Sequence, residues 1–163
     1  MRILAMIRRV KIEDISAIQA IIQQNLSDFL VHTDGLEKFN DFALQHMVLN
    51  PDIHYWVYEK QRKVIGCIGY RVPAHLVHFF VDQSYQGQGI GKQLWIYAFE
   101  HLKRKYPQQE HFKMSVNSSP AAVVVYKKLG FEAVSAQCES GGIRYVKMIL
   151  DVSLTDKNSI DED

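Results

Sequence analysis

The chain has little to staple, tether or charge it. Only two of its 163 residues are cysteine, Cys67 and Cys138, far apart and in no C-x-x-C unit. That excludes a disulfide framework and the paired-cysteine redox and zinc motifs. Both cysteines read as small buried apolar side chains. No apolar run approaches the roughly 18 residues of a membrane-spanning helix, and no membrane partner is expected. The opening M-R-I-L-A-M-I-R-R-V-K breaks its apolar stretch at Arg8 and Arg9, short of a secretory core. The expected location is therefore cytoplasmic, with Met6 a possible domain start and Met1–Ala5 an upstream extension. Lys plus Arg (19) barely exceed Asp plus Glu (18), for a formal charge of +1. That balance gives no electrostatic footprint for nucleic acid. His32, His46, His54, His101 and His111 show no ligand spacing, and no metal is expected.

What remains is an ordinary globular composition, 47% hydrophobic and 23% charged. A chain of about 150 residues buries roughly 68–70% of its unfolded surface, so one core needs no staples. Met6–Ile12 reads as a short strand. After Asp14, the residues Ile15, Ile18, Ile21, Ile22 and Leu26 follow one helical face. Ser27–Gly35 lacks periodicity and reads as a loop. Asp34 and Glu37 have capping-box spacing, which predicts a second helix through Leu36, Phe39, Phe42, Ala43 and Met47. Asn50-Pro51 ends it.

His54–Glu59, Lys63–Arg71 and Ala74–Asp82 are strand candidates joined by short links, an antiparallel meander. Gly89–Tyr106 is a long helix with Ile90, Leu94, Ala98 and Leu102 at four-residue intervals, and Pro107 just beyond. His111–Val116 is a strand. Ser119-Pro120 and Gly130 bracket a helix of about ten residues as cap, first-turn proline and C-terminal glycine. Phe131–Gln137 and Ile143–Leu150 flank the turn Glu139–Gly142. The order β-α-α-β-β-β-α-β-α-β-β predicts one α/β domain over residues 6–150 with a mixed central sheet. Residues 151–163 read as a flexible acidic tail.

The segment His78–Leu94, H-F-F-V-D-Q-S-Y-Q-G-Q-G-I-G-K-Q-L, carries the chemistry. Gly87, Gly89 and Gly91 permit a tight turn and close approach of backbone to ligand. The helix start behind them offers free N–H groups and partial positive charge, a place for phosphate. It is not a P-loop, because Gln86 and Gln93 occupy the first-glycine and Ser/Thr positions. It is not a dinucleotide fingerprint, because Lys92 stands at the third glycine.

Q-x-x-G-x-G at Gln86, Gly89 and Gly91, after a strand ending Val81-Asp82, resembles the pyrophosphate loop of the GNAT family, the GCN5-related N-acetyltransferases. The segment V-N-S-S-P-A-A-V-V-V-Y-K-K-L-G-F, Val116–Phe131, resembles that family's next strand and tyrosine-bearing helix. The opening I-R-R-V-K-I-E-D-I-S-A-I is similar to its usual start. The resemblance implies a GNAT-like fold and acetyl-CoA as co-substrate. It implies that the strand Phe79, Phe80, Val81 receives the pantetheine arm, with backbone groups of Phe79 and Val81 pairing to it. It implies that Gln86, Gly87, Gln88, Gly89, Ile90, Gly91 and Lys92 hold the pyrophosphate, that Asn117 bonds the arm, and that Tyr126 stands near the sulfur.

The implied reaction is attack of a neutral amine on a thioester. An alkyl amine of pKa about 10.4 is mostly charged at pH 7, and the ~3.4-unit gap is worth about 4.6 kcal/mol. A base must take the proton, an N–H donor must meet the oxyanion, and the thiolate benefits from a proton donor. Tyr126 is the candidate acid. His75, sharing alternation parity with Val77 and Phe79, is the candidate base, with Glu59 or water as alternatives. By the same alternation His78 falls on the opposite face and reads as structural. The loop residues Phe29, His32 and Asp34 are candidates to face the acceptor, an amine on a small molecule or a protein. Another acyl-CoA as donor, or a non-catalytic acyl-CoA sensor, also fits the loop, and a homodimer is one option for assembly.

Overall fold

The computed structural model describes residues 4–106 and 110–153. The expectations for Met1–Ile3, for Pro107 and for the acidic stretch Asp156–Asp163 fall outside them. The strands are β1 (Ala5–Arg9), β2 (Ile53–Lys60), β3 (Lys63–Arg71), β4 (His75–Val81), β5 (His111–Ser118), β6 (Glu132–Ala133), β7 (Cys138–Ser140) and β8 (Ile143–Ser153). The helices are α1 (Ile15–Gln23), α2 (Leu26–Phe29), α3 (Asp41–Leu49), α4 (Ile90–Lys105) and α5 (Val123–Lys128). The sheet order is β1-β2-β3-β4-β5-β8-β6, with β7 paired to β8. Every pairing is antiparallel except β4 with β5. This is the expected mixed α/β fold, with the one-turn helix α2 and the short strand β7 added. Strand β8 also runs on to Ser153, so residues 151–153 belong to the sheet and not to a tail.

The two faces of the sheet carry separate cores. On one, Ile90, Leu94, Trp95, Ala98, Phe99 and Leu102 of α4 pack on Ile68, Tyr70, Leu76, Met114 and Met148. Each such large apolar side chain contributes roughly 1.5–3 kcal/mol when fully buried, and this face holds α4 to the sheet. On the other, Ile15, Ile18, Ile21 and Ile22 of α1 and Leu44 of α3 cover Tyr55, Val57 and Cys67. Cys67 is buried there as expected, while Cys138 on β7 is only half-buried.

The second helix forms later than the sequence spacing predicts. Thr33–Phe39 is a 3-10 segment, and α3 starts at Asp41 with Asn40 as its cap, the Asn40 Oδ1 accepting from Ala43 N–H at 2.8 Å. Asp34 therefore caps no α-helix. Its backbone N–H instead donates to His32 Nδ1 at 3.2 Å. The cause is long-range: Val31 and His32 N–H both bond Gly142 O, at 2.9 and 3.1 Å, which ties this segment to the β7–β8 turn. Ser119 caps a 3-10 turn, Pro120–Ala122, that leads into the six-residue α5, its Oγ accepting from Ala122 N–H, and Gly130 past the helix end takes φ 103°.

Candidate active site

Between β4 and β5 the sheet opens. The two strands pair only at His75–Ser115 and Leu76–Val116. Beyond that point β5 stays with β8 through Ser118, while Val77–Val81 lose their neighbour on that side. The opening begins at a bulge: the β3–β4 register passes from Gly69–His78 to Tyr70–Leu76, leaving Val77 unpaired. A bulge bends its strand and increases twist, and here it turns β4 away from β5. Backbone directions past the bulge follow from one bond. Asp82 N–H donates to Ile65 O at 2.8 Å, so Asp82 and Phe80 present their polar groups to β3. The intervening residues Phe79 and Val81 therefore present N–H and C=O toward the gap. Gln86 Nε2 reaches Val81 O at 3.4 Å.

The gap leads to the start of α4. Gly87 and Gly89 both take φ 79°, where an L side chain is strained, and a Cβ at either would meet nothing within 4 Å. Their backbone conformation, not crowding, requires glycine. Gln93 N–H bonds back to Gly89 O at 3.1 Å. The amides ahead of it at Ile90 and Gly91 have no carbonyl behind them, as at any helix start. Gap and helix start open into one cleft of about 760 Å³.

Most of the predicted site residues line this cleft: His75, Phe79, Phe80, Val81, Gln86, Gly87, Gly89, Ile90, Gly91, Asn117 and Tyr126. Gln88 and Lys92 belong to the same turn but are not in its lining, and Gln88 Oε1 accepts from Lys60 Nζ at 3.4 Å. Tyr126 is buried, with its ring 6.3 Å from that of Phe79 and 5.4 Å from that of Phe131. Burial pushes its phenol pKa well above 10, so it stays protonated.

The bulge corrects the parity expected for His75. Its β3 partner is Arg71, and His78 is opposite Gly69, on the Tyr55 side of the sheet. His75, His78 and Phe80 thus share the α1/α3 face, while Phe79 and Val81 look toward α4. His75 Nδ1 stands 2.7 Å from Ser115 Oγ, and desolvation followed by the charge of Arg71 lowers its pKa. His78, expected on the face opposite His75, shares its face and also lines the cleft; it is buried, with Nδ1 2.8 Å from Tyr55 Oη, and burial pushes its pKa down to about 4. Glu59, the alternative base, is 3.5 Å from Arg8 Nη2 and does not line the cleft.

The other half of the cleft is only partly as expected. Phe29 lines it, but His32 and Asp34 do not. They are exposed and pair with each other at 3.3 Å. Asp28, Lys38, Met47, Arg71, Arg144 and Tyr145 line it instead. The β7–β8 hairpin brings Arg144 and Tyr145 in, a contact carried by the Leu30–Ile143 bridge and invisible to local periodicity. Among the described residues no group of three His, Cys, Asp or Glu side chains is placed to hold a metal ion.

A mixed sheet opens here beside a glycine turn and a helix start, with Tyr126 lining the same cleft. A sequence profile of the acetyltransferase (GNAT) domain matches residues 21–152. The chain belongs to the GNAT acetyltransferase family. A comparison with curated protein sequences finds no match. Solved structures similar to it include a GCN5-related N-acetyltransferase (aminotransferase, class II) from Rhodopseudomonas palustris (16% identity, TM-score 0.75, 93% of this chain and 99% of that one). Another is the PaiA N-acetyltransferase from Thermoplasma acidophilum in complex with coenzyme A (19%, 0.70, 91% and 99%). A third is the ribosomal-protein-S18-alanine N-acetyltransferase from Escherichia coli (18%, 0.66, 94% and 97%). At these identities the likeness speaks for the fold.

Proposed function

We propose that the protein transfers the acetyl group of acetyl-CoA to a primary amine by direct attack in a ternary complex. The observation that carries this reading is the gap beside Phe79 and Val81, whose main-chain groups face it in line with the start of α4. Coenzyme A in the Thermoplasma relative supports the choice of cofactor.

In this reading the pantetheine arm pairs with β4, and the diphosphate meets the amides from Gln86 to Lys92. Asn117 bonds the arm from β5. The amine nitrogen attacks the thioester carbon, the C–N bond forms, and the oxyanion accepts from Phe79 N–H. His75 takes the amine proton at Nε2, its Nδ1 being held by Ser115. With its pKa lowered by desolvation and by Arg71, His75 is neutral at pH 7 and able to accept. The C–S bond then breaks toward Tyr126. Full proton transfer from a phenol above 10 to a thiolate near ~8.5 is uphill. Tyr126 therefore stabilises the leaving sulfur as a hydrogen-bond donor, and the thiol completes its protonation on release.

The test is calorimetry with acetyl-CoA followed by thiol release with a panel of amines. Micromolar binding with turnover supports the proposal. Binding without turnover of any amine makes the protein a sensor, and tighter binding of a longer acyl-CoA changes the donor. No heat with millimolar acetyl-CoA overturns the proposal.

A further inference from the structure

The acceptor half of the cleft carries three cations, Lys38, Arg71 and Arg144, against one carboxylate, Asp28. This local excess stands out in a chain whose formal charge is only +1. Among the described residues none of the three is paired with a carboxylate. The ion pairs among the described residues join Arg8 to Asp14 and Glu59, His32 to Asp34, Lys103 to Glu100 and Lys113 to Asp151. None involves these three. Arg144 is the clearest case. Its Nη2 makes one long bond of 3.4 Å to Ser27 O, while its Nε is shielded from solvent with no hydrogen-bond partner. The Arg144 guanidinium thus lines the cleft with no carboxylate partner among the described residues. Lys38 stands over the β7–β8 turn, where a Cβ on Gly141 would lie 2.9 Å from its Nζ. Arg71 faces His75 across β3–β4.

We infer that the acceptor is an amine bearing a carboxylate, held through Arg144 with Lys38 and Arg71 framing it. This deepens the transferase reading and rests on it. A guanidinium presents its N–H groups in a fork that matches a carboxylate. Among the described residues Asp28 is the one acidic group lining the cleft, available to the ammonium before it loses its proton. The same wall repels a polycation, so polyamine acceptors fit poorly.

The experiment compares matched amines with acetyl-CoA at equal free-base concentration: L-phenylalanine with its amide, β-alanine with its amide, and spermidine. Phosphoethanolamine against ethanolamine is the arm for a phosphate in place of the carboxylate. The expected result is a kcat/KM about 10- to 100-fold higher for the carboxylate member of a pair. Arg144→Gln removes that preference, Arg144→Lys restores part of it, and the KM for acetyl-CoA stays put. Lys38→Gln, at an exposed position, gives the same direction should Arg144→Gln fold poorly. Independently of turnover, N-acetyl-L-phenylalanine is expected to raise the Tm of the CoA-saturated protein, and its amide is not. Equal rates within the carboxylate pairs, preference for spermidine or for phosphoethanolamine, or equal Tm shifts overturn the inference. These outcomes leave the transferase reading intact, which falls only if acetyl-CoA fails to bind or no amine is turned over.

Discussion

Tyr126 and His78 illustrate how one physical effect, burial, has different consequences for two side chains. The Tyr126 phenol is kept neutral beside the gap. Tyr126→Phe removes one hydroxyl and leaves the ring contacts with Phe79 and Phe131. Turnover is expected to fall about 10²-fold with acetyl-CoA affinity unchanged. Equal turnover in single-turnover kinetics would remove its assigned role. His78 is also desolvated, and its folded pKa is about 4 against 6.5 unfolded. The unfolded chain therefore binds the extra proton between those values, and stability rises with pH across that window. The contribution, up to roughly 3 kcal/mol, is fully present above 6.5 and lost as pH falls toward 4. Denaturant titrations at several pH values should show this slope, and a flatter slope in His78→Leu, even though that variant leaves Tyr55 Oη without its partner.

The glycines at the head of α4 divide into two kinds. Gly89 has φ 79°, and Gly89→Ala is expected to cost about 1–2 kcal/mol in denaturant unfolding. Gly91 has no such φ, and an added Cβ would lie 3.7 Å from Phe79 Cζ and Val81 Cγ2, ordinary contact. Gly91→Ala is expected to be neutral or stabilising by up to about 1 kcal/mol. The reverse order would mean the turn is not what selects glycine here. Elements with local causes were legible in the sequence. Strand β3 coincides with Lys63–Arg71, α4 differs from the expected span by one residue at each end, and Ser119 caps where a Ser-Pro pair should. Elements with distant causes were not. Asp34 and Glu37 have the right spacing for a cap, yet Gly142 O claims the chain just ahead of them, and the helix waits for Asn40. The face of His75 was misread for a similar reason: the Val77 bulge belongs to the β3–β4 register, and simple alternation along H-L-V-H-F-F-V cannot express it.

Across the sheet as assembled, that bulge has the largest effect. It opens β4 from β5 after two paired residues, aims the polar groups of Phe79 and Val81 into the opening, and puts His75 on the side where Asp28, Lys38 and Arg144 gather. The cofactor half was readable because it is one continuous segment, His78–Lys92. The acceptor half was not, because α2, β3 and the β7–β8 hairpin meet there only in three dimensions. Amide hydrogen exchange with and without acetyl-CoA tests the shared premise most directly. Protection should rise at Phe79, Val81 and the α4 first-turn amides Ile90 and Gly91, while Phe80, already bonded toward β3, stays unchanged. Saturating acetyl-CoA with unaltered exchange at Phe79 and Val81 would contradict main-chain capture of the thioester arm.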